Sequence, residues 1–224
     1  MPEEIPEIPE KPEQTEKTDK PKKIYYDQRS VALRTKQAVY FVQEHDKPLM
    51  LDLLMQEYKE LQSVIVVKSK RQADLLSEFL NSKNLKALAV HGNHRAEQQL
   101  EASTRFNLCA INILISTDTI LETLELKDIK LLISYDLPLV PQTYFNRLAY
   151  MNELGSGIAL VSPEDDKALS TIEFNMKAEI EEKELEGFVP TPIPQGNRLG
   201  RKIKDKKKKP RHRKVKAKTK KGDD

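Results

Sequence analysis

The side chains best suited to chemistry are the cations near the carboxyl terminus. Residues 198–224, the basic segment, carry 15 Lys and Arg against three acids, a net charge of +12. The preceding residues carry 23 bases and 32 acids, a net charge of −9. The candidate nucleic-acid contacts in this segment are Lys206, Lys207, Lys208, Lys209, Arg211, Arg213 and Lys214. Such a cationic run displaces counterions from phosphates, so it predicts binding to a polyanion, and a solubilising tail is the alternative.

The rest of the sequence offers little for catalysis. It contains no Gly-x-x-x-x-Gly-Lys-Ser/Thr loop, whose amides cradle nucleotide phosphates, and no Asp-Glu-Ala-Asp segment. The histidines show no spacing typical of a metal site, so neither a metal nor another cofactor is expected. Cys109 is the single cysteine, which excludes an internal disulfide, and its place before an apolar run predicts a small buried thiol.

The composition is typical of a protein that folds in water inside the cell. Charged residues make up 33% of the chain and aromatic residues 6%. No apolar run approaches the roughly 18 residues of a membrane-spanning helix, and the amino terminus lacks the apolar stretch of a signal peptide. We therefore expect a cytoplasmic location and no association with a membrane.

The elements that must position any site alternate in type along the chain. Near-continuous apolar runs, rich in β-branched residues, occupy residues 38–42, 64–67, 87–90, 111–115, 131–133 and 158–161. Such runs are typical of strands buried on both faces of a parallel sheet, and the amphipathic stretches between them indicate helices. The alternation predicts one doubly wound α/β domain over residues 31–187, with a mainly parallel sheet and helices on both faces. The acidic, proline-rich residues 1–30 and the linker and basic segment, 188–224, are expected to be disordered.

Five short motifs follow one another at characteristic spacings. They are residues 64–70, His91-Gly92 followed by Phe106, Ser116-Thr117-Asp118, Tyr135-Asp136-Leu137-Pro138 with Pro141, Tyr144 and Arg147, and residues 161–165. In this order they resemble the C-terminal RecA-like domain of DEAD-box RNA helicases, over about residues 31–182. The resemblance implies a RecA-like fold and RNA-backbone contacts from His91, Gly92, Thr117 and Arg147. The alternatives are a helix cap for Thr117, a turn for Gly92, and for Arg147 an ion pair with an acid such as Asp136.

The sequence departs from this family where the family contacts nucleotide. The family's Arg-Gly-x-Asp stretch corresponds to residues 122–125, where Glu122 replaces the arginine and Glu125 keeps an acid as a weak residual nucleotide contact. Tyr150 and Glu153 stand where the family has two arginines that reach the phosphates. Ala96 and Gln99 replace its Gln-x-x-Arg pair. Because an arginine finger contributes about 10³–10⁵ in rate, we expect no ATP hydrolysis by this chain alone and assign no catalytic residue.

Three hypotheses about function remain. The first is a non-catalytic RNA-binding protein, in which a degenerate helicase domain serves as scaffold and the basic segment holds RNA or ribonucleoprotein particles. The second is half of a split ATP-dependent RNA helicase, completed by a separate protein that carries the first helicase domain. The third is a protein-interaction module whose basic segment is incidental.

Overall fold

A seven-stranded sheet runs through residues 28–151 and 155–192, the part of the chain that this computed structural model describes. Its strands are β1 (Lys36–Phe41), β2 (Ser63–Val66), β3 (Ala87–Val90), β4 (Ile113–Ser116), β5 (Leu131–Ser134), β6 (Ser156–Val161) and β7 (Glu181–Glu182). They lie in the order β3-β4-β2-β5-β6-β1-β7, and every pairing is parallel. The predicted α/β class and parallel sheet are confirmed, and β7 is a strand that the apolar pattern did not predict.

Seven α-helices flank the sheet within the described ranges. They are α1 (Gln28–Arg34), α2 (Lys47–Glu57), α3 (Lys70–Ser82), α4 (Ala96–Asn107), α5 (Asp118–Leu121), α6 (Pro141–Ala149) and α7 (Asp166–Met176), with a 3-10 turn at Glu44–Asp46. None of them is long and apolar enough to cross a membrane. Helix α1 begins three residues before the expected boundary at residue 31. The disorder expected for residues 1–27 and 193–224 concerns residues outside the described part of the chain.

The central strands are apolar on both sides because helices cover both faces of the sheet. In β2, Val64 and Val66 belong to one buried cluster, whereas Ile65 and the following Val67 belong to the other. This alternation is the expected consequence of side chains that point to opposite faces at successive positions. Strands β2, β4 and β5 are buried at every position. The apolar runs in the sequence therefore reflect the burial of these strands on both faces of the sheet.

The face on which each helix packs follows from the direction in which the chain moves across the sheet. From β1 to β2 and then to β3 the chain steps one way, and the connecting helices α2 and α3 pack with the cluster that contains Ile65. From β3 onward it steps back, and α4 to α7 pack with the cluster that contains Val66. Right-handed crossovers require this switch of face when the direction reverses.

Both borders of the sheet carry features that hinder the addition of a further strand. On β3, the side-chain amide of Asn81 donates to the Ala87 carbonyl at 2.8 Å and its oxygen accepts from the Ala87 amide at 3.3 Å. The Ser77 hydroxyl donates to the same carbonyl at 3.2 Å. On the other border, β7 consists of two exposed glutamates. On the first border, hydrogen-bonding side chains thus limit the addition of a strand. On the second border, the short length and negative charge of β7 do the same.

After β7 the chain continues as an ordered strap, residues 183–191. The Lys183 amide donates to the Val39 carbonyl at 2.9 Å. Leu185 and Phe188 then pack, partly buried, against the cluster that α2 and α3 cover. Between them Gly187 adopts a positive φ of 81°, a conformation in which glycine is strongly favoured. The folded chain therefore continues beyond the expected boundary at residue 187, as far as Thr191.

Cys109 differs from the prediction of a buried thiol. Helix α4 ends at Asn107, and Cys109 adopts a left-handed conformation, with φ of 57°, in the turn that follows. Its amide donates to the Phe106 carbonyl at 2.9 Å, and its side chain is exposed. The prediction was wrong because the strand begins only at Ile113, so Cys109 belongs to the turn and not to the apolar run.

Candidate nucleic-acid interface

The motifs singled out in the sequence meet at the carboxyl edge, where all parallel strands end. Val90 at the end of β3 pairs with Ser116 at the end of β4, and Ser116 also pairs with Val66 at the end of β2. The residues that follow these strands, Gly92, Thr117 and Lys68, therefore lie side by side. Open α/β sheets bind their ligands at this edge, so we expect a ligand-binding site among these loops.

The loop after β2, residues 68–71, forms a cationic turn that we call the lysine turn. Lys68, Lys70 and Arg71 are exposed, and Ser69 caps α3 by accepting a hydrogen bond from the Gln72 amide at 3.2 Å. The ammonium of Lys68 lies 3.3 Å from the Asp136 carboxylate. The charge of this carboxylate raises the pKa of Lys68. The lysine turn thus presents positive side chains beside the first amides of a 13-residue helix, an arrangement that favours anions.

Lys70 connects this turn to the His91-Gly92 motif. Its ammonium donates to the Asn93 side-chain oxygen at 2.8 Å. A Cβ placed on Gly92 would lie 3.4 Å from the same ammonium nitrogen. Gly92 is exposed, so Lys70 and Gly92 offer a charge and an open backbone surface at one place.

Thr117 and His91 have different roles at this edge. Thr117 occupies the position before α5, but its hydroxyl makes no capping hydrogen bond, which argues against the alternative role as a side-chain cap. The His91 ring is buried, and its Nε2 lies 2.8 Å from an Asp74 carboxylate oxygen. The His91 amide donates to Nδ1 of His94, whose ring stacks on that of His91 at 4.2 Å. The structure therefore leaves the Thr117 hydroxyl open to a ligand but engages the ring and amide of His91 internally.

Arg147 is sealed inside the domain. Its side chain is 2% exposed, and its Nε and Nη2 donate to the two carboxylate oxygens of Asp118 at 2.6 and 2.8 Å. Its Nη1 donates to the main-chain carbonyl of Asp136 at 2.8 Å. An ion pair was the correct alternative to RNA contact, but the partner carboxylate is Asp118 and not Asp136. This placement argues against the predicted RNA contact of Arg147.

In this chain, negative charge surrounds the position at which the family has its first phosphate-contacting arginine. Tyr150 follows α6, and burial, together with the carboxylates of Glu122 and Asp118, raises the pKa of its phenol to about 12. Tyr150 is therefore neutral at physiological pH. Glu122 and Glu125 are exposed, and Glu153 lies outside the described residues. Nucleotide contact by Glu125 stays a prediction.

A buried lysine cluster, which sequence reasoning missed, joins the loops of the carboxyl edge. Lys47 is fully buried at the start of α2, and its ammonium lies 2.8 Å from Glu44, 3.0 Å from Asp165 and 4.0 Å from Asp136. Carboxylates from three separate loops thus converge on one charge. A lysine directly before a proline and an apolar helix was the available signal, but its partners are distant in the sequence.

Asp165 makes the stability of this cluster dependent on pH. Burial raises the pKa of its carboxyl, but hydrogen bonds from Ser162 and Lys47 outweigh burial and hold the pKa below its ordinary value. The stabilisation is therefore complete above the unfolded-state pKa of about 3.9 and is lost as the pH falls through the folded-state pKa. We expect Asp165→Asn to lower the free energy of unfolding at pH 7 by about 1–3 kcal/mol, and by progressively less below pH 4.

Urea unfolding across a pH series measures this difference. The matched control is Glu164→Gln at the exposed neighbouring position, which should follow the wild-type curve. A constant gap between Asp165→Asn and wild type from pH 7 to pH 3 would show that the Asp165 carboxylate is not the acid-sensitive group.

Comparison with known proteins agrees with this geometry. Residues 46–149 match the family model described as the helicase conserved C-terminal domain. The ATP-dependent RNA helicase SUB2-2 of Vanderwaltozyma polyspora is 30% identical over 170 residues, which cover 74% of this chain and 38% of that protein. The DEAD-box helicase RhpA of Helicobacter pylori is 27% identical over 148 residues, covering 65% of this chain and 30% of RhpA. The chain thus spans less than two fifths of these curated relatives.

Solved structures confirm the predicted RecA-like fold. A DEAD-box protein from Methanococcus jannaschii is 27% identical and superposes with a TM-score of 0.64 over 69% of this chain and 43% of its own. Escherichia coli SrmB, bound to the regulator of ribonuclease activity A, has a TM-score of 0.66 at 20% identity, over 72% of this chain and 98% of that one. Motif order, sheet topology and both comparisons lead to one assignment. The folded part of this chain is a C-terminal helicase domain of the DEAD-box family, superfamily 2.

Proposed function

We propose that this chain is a non-catalytic RNA-binding protein in which a helicase C-terminal domain serves as scaffold and the basic segment holds RNA or ribonucleoprotein particles. One observation carries the proposal: the carboxyl edge keeps cations at the lysine turn but has lost them at the nucleotide position. Lys70 and Arg71 remain exposed there, whereas Tyr150 stands beside Glu122 and Asp118 in place of an arginine.

The cationic groups of this chain are suited to binding phosphate. Lys70 beside Gly92, the unengaged hydroxyl of Thr117 and the amino end of α3 are the kinds of group that contact a nucleic-acid backbone. The basic segment adds 15 Lys and Arg. Relatives of this domain are named as RNA helicases, which supports RNA as the polyanion.

The nucleotide position supports a loss of catalysis. Phosphoryl transfer relies on positive groups that stabilise the charge developing on the transferred phosphoryl group. A neutral phenol at Tyr150 supplies no charge, and the carboxylates near it repel a phosphate. The guanidinium of Arg147 is held by Asp118 with a bidentate geometry, so it is not free to take over the missing role.

We expect no RNA-stimulated ATP hydrolysis from the 224-residue chain, and an RNA affinity that is unchanged by ATP. The physical reason is twofold: this sequence has no Walker loop to hold a nucleotide, and no cationic group stands at Tyr150 to connect a nucleotide with the RNA-binding edge. Phosphate release at saturating RNA measures the first expectation, and anisotropy of a labelled RNA with and without ATP measures the second. Tyr150→Arg should restore neither activity, because the sequence has no Walker loop.

Four results decide between this proposal and its alternatives. Turnover above background that is abolished by Glu122→Ala, or an RNA affinity that rises with ATP, contradicts the non-catalytic proposal. Turnover that appears only after addition of a protein carrying a first helicase domain supports the split helicase. Absence of RNA binding by the full-length chain favours the protein-interaction module.

A further inference from the structure

The loop after β3, residues 91–94, is closed by hydrogen bonds that end on imidazole rings, and we call it the histidine turn. The His94 amide donates to the His91 carbonyl at 2.9 Å, and the His91 amide donates back to Nδ1 of His94 at 3.1 Å. The Asn93 amide donates to Nδ1 of His91 at 3.4 Å. The two rings stack with their centroids 4.2 Å apart. Each ring therefore serves as an acceptor for the backbone of the turn that carries it.

These contacts fix the position of the proton on each ring. A backbone amide can only donate, so Nδ1 of both histidines must keep its lone pair, and each neutral ring carries its proton on Nε2. His91 donates this proton to the Asp74 carboxylate, 2.8 Å away. A doubly protonated imidazole has no lone pair. Protonation of His94 would thus set two donors against each other, its own Nδ1–H and the amide of the buried His91.

The surroundings of His94 favour the neutral ring. Burial and the adjacent His91 lower the pKa of His94, and the Asp74 carboxylate, from α3, opposes them without reversing the shift. From α4 the contact is neutral, since the Gln99 side-chain amide donates to the His94 carbonyl at 2.9 Å. A histidine whose folded-state pKa is lowered contributes stability above its unfolded-state pKa of about 6.5, and this stability is lost as the pH falls through the folded-state pKa. The histidine turn is therefore most stable near neutral pH.

We propose that the His91–His94 pair is a proton-operated latch. With both rings neutral it holds the histidine turn closed, and protonation of His94 opens the turn by removing the acceptor of the His91 amide. The open turn no longer fixes Asn93, whose side-chain oxygen accepts a hydrogen bond from the Lys70 ammonium at 2.8 Å. Acid therefore also detaches the histidine turn from the lysine turn. This device is independent of RNA binding and goes beyond the proposed function.

NMR of the full-length chain tests the latch. Ring resonances give the pKa of His94, which should lie below the ordinary value of about 6.5. Hydrogen exchange, corrected for the intrinsic effect of pH, gives the protection of the His91 amide. Each unit by which the pKa of His94 in the closed turn lies below that in the open turn should cost this amide about tenfold in protection at acid pH. The Val67 amide, bound to the Ser116 carbonyl in the sheet, reports opening of the whole domain and should keep its protection.

Four variants assign the effect to His94. His94→Asn keeps an acceptor at the position of Nδ1 but has no group that titrates, so its His91 amide should stay protected in acid. His94→Phe keeps a ring for stacking but has no acceptor, so protection should be low at every pH. Asp74→Asn removes the charge that opposes the shift, so the pKa of His94 should fall further. His45→Gln, at an exposed position on another loop of the same edge, is the matched control and should follow the wild type.

Three outcomes overturn the latch. The first is a His91 amide whose protection stays constant while the ring of His94 titrates, because that ring is then not the acceptor that closes the turn. The second is a pKa of His94 at or above the ordinary value. The third is a loss of protection in acid that persists in His94→Asn, which would assign the opening to another group. None of these outcomes bears on RNA binding by the full-length chain.

Discussion

A chain that ends at Asn197 should lose nearly all of the salt-sensitive RNA affinity of the full-length protein. Each phosphate neutralised on single-stranded RNA contributes about −0.7 to the slope of log K against log salt. With roughly six phosphates engaged, the affinity of the full chain should fall about 10²–10³-fold between about 50 and 200 mM salt. The rest of the chain carries a net charge of −9, so the truncated form should bind weakly, through the lysine turn, and with a much shallower slope than the full chain.

Anisotropy of a labelled RNA across a salt series measures both slopes. Two controls separate charge from sequence in the basic segment. Replacing Lys206, Lys207, Lys208 and Lys209 by Gln should flatten the slope, whereas permuting the residues of the segment at constant composition should leave it unchanged. The permuted segment keeps its affinity because it contains no Phe, Tyr or Trp to stack on bases. Equal RNA affinity of the truncated and full-length chains would show that the basic segment does not contribute to RNA binding. This result would favour the protein-interaction module.

Removing either partner of the Arg147–Asp118 pair should destabilise the domain strongly. Arg147 is 2% exposed and Asp118 about one third exposed, so Asp118→Ala leaves a buried guanidinium without its counter-charge. Loss of one partner of a buried pair costs about 3–5 kcal/mol. Arg147→Met keeps much of the volume but leaves the Asp118 carboxylate and the Asp136 carbonyl without their donor.

A double-mutant cycle by urea unfolding tests whether the two residues act as a pair. The double variant Asp118→Ala with Arg147→Met should be more stable than the sum of the two single losses predicts, by about 1–3 kcal/mol. Glu122→Gln is the matched control, since it removes an exposed carboxylate from the same region with little expected effect on stability. Strictly additive losses would show that the pair has no coupling energy and that Arg147 acts through packing.

The sequence predicted the strands well because their burial leaves a simple pattern. Runs such as residues 64–67 and 131–133 are apolar at consecutive positions, and a strand covered on both faces is what produces such a run. The structure brings Gly92 and Thr117, two residues of the predicted RNA contacts, to one edge of the sheet. Because Gly92 and Thr117 follow the ends of adjacent parallel strands, the strand order alone is enough to bring them together.

The ion pairs were less predictable because they depend on how helices cross the sheet. Asp118 and Asp136 both follow strand ends, and pattern alone does not tell which carboxylate faces Arg147 on α6. The structure brings the side chain of Asp118 to it and uses only the carbonyl of Asp136. Lys47 was missed for a similar reason, since its partners Asp136 and Asp165 are 89 and 118 positions away.

The features that hinder strand addition at the sheet borders have a consequence for crowding. A protein that gathers on a polyanion is concentrated locally, and neighbouring copies meet far more often than in free solution. Exposed strand borders would then template growth of intermolecular sheets. In the described domain, Asn81 occupies the backbone groups of Ala87 on one border, and β7 ends the other with two glutamates. These features should limit sheet formation between copies that a polyanion brings close together.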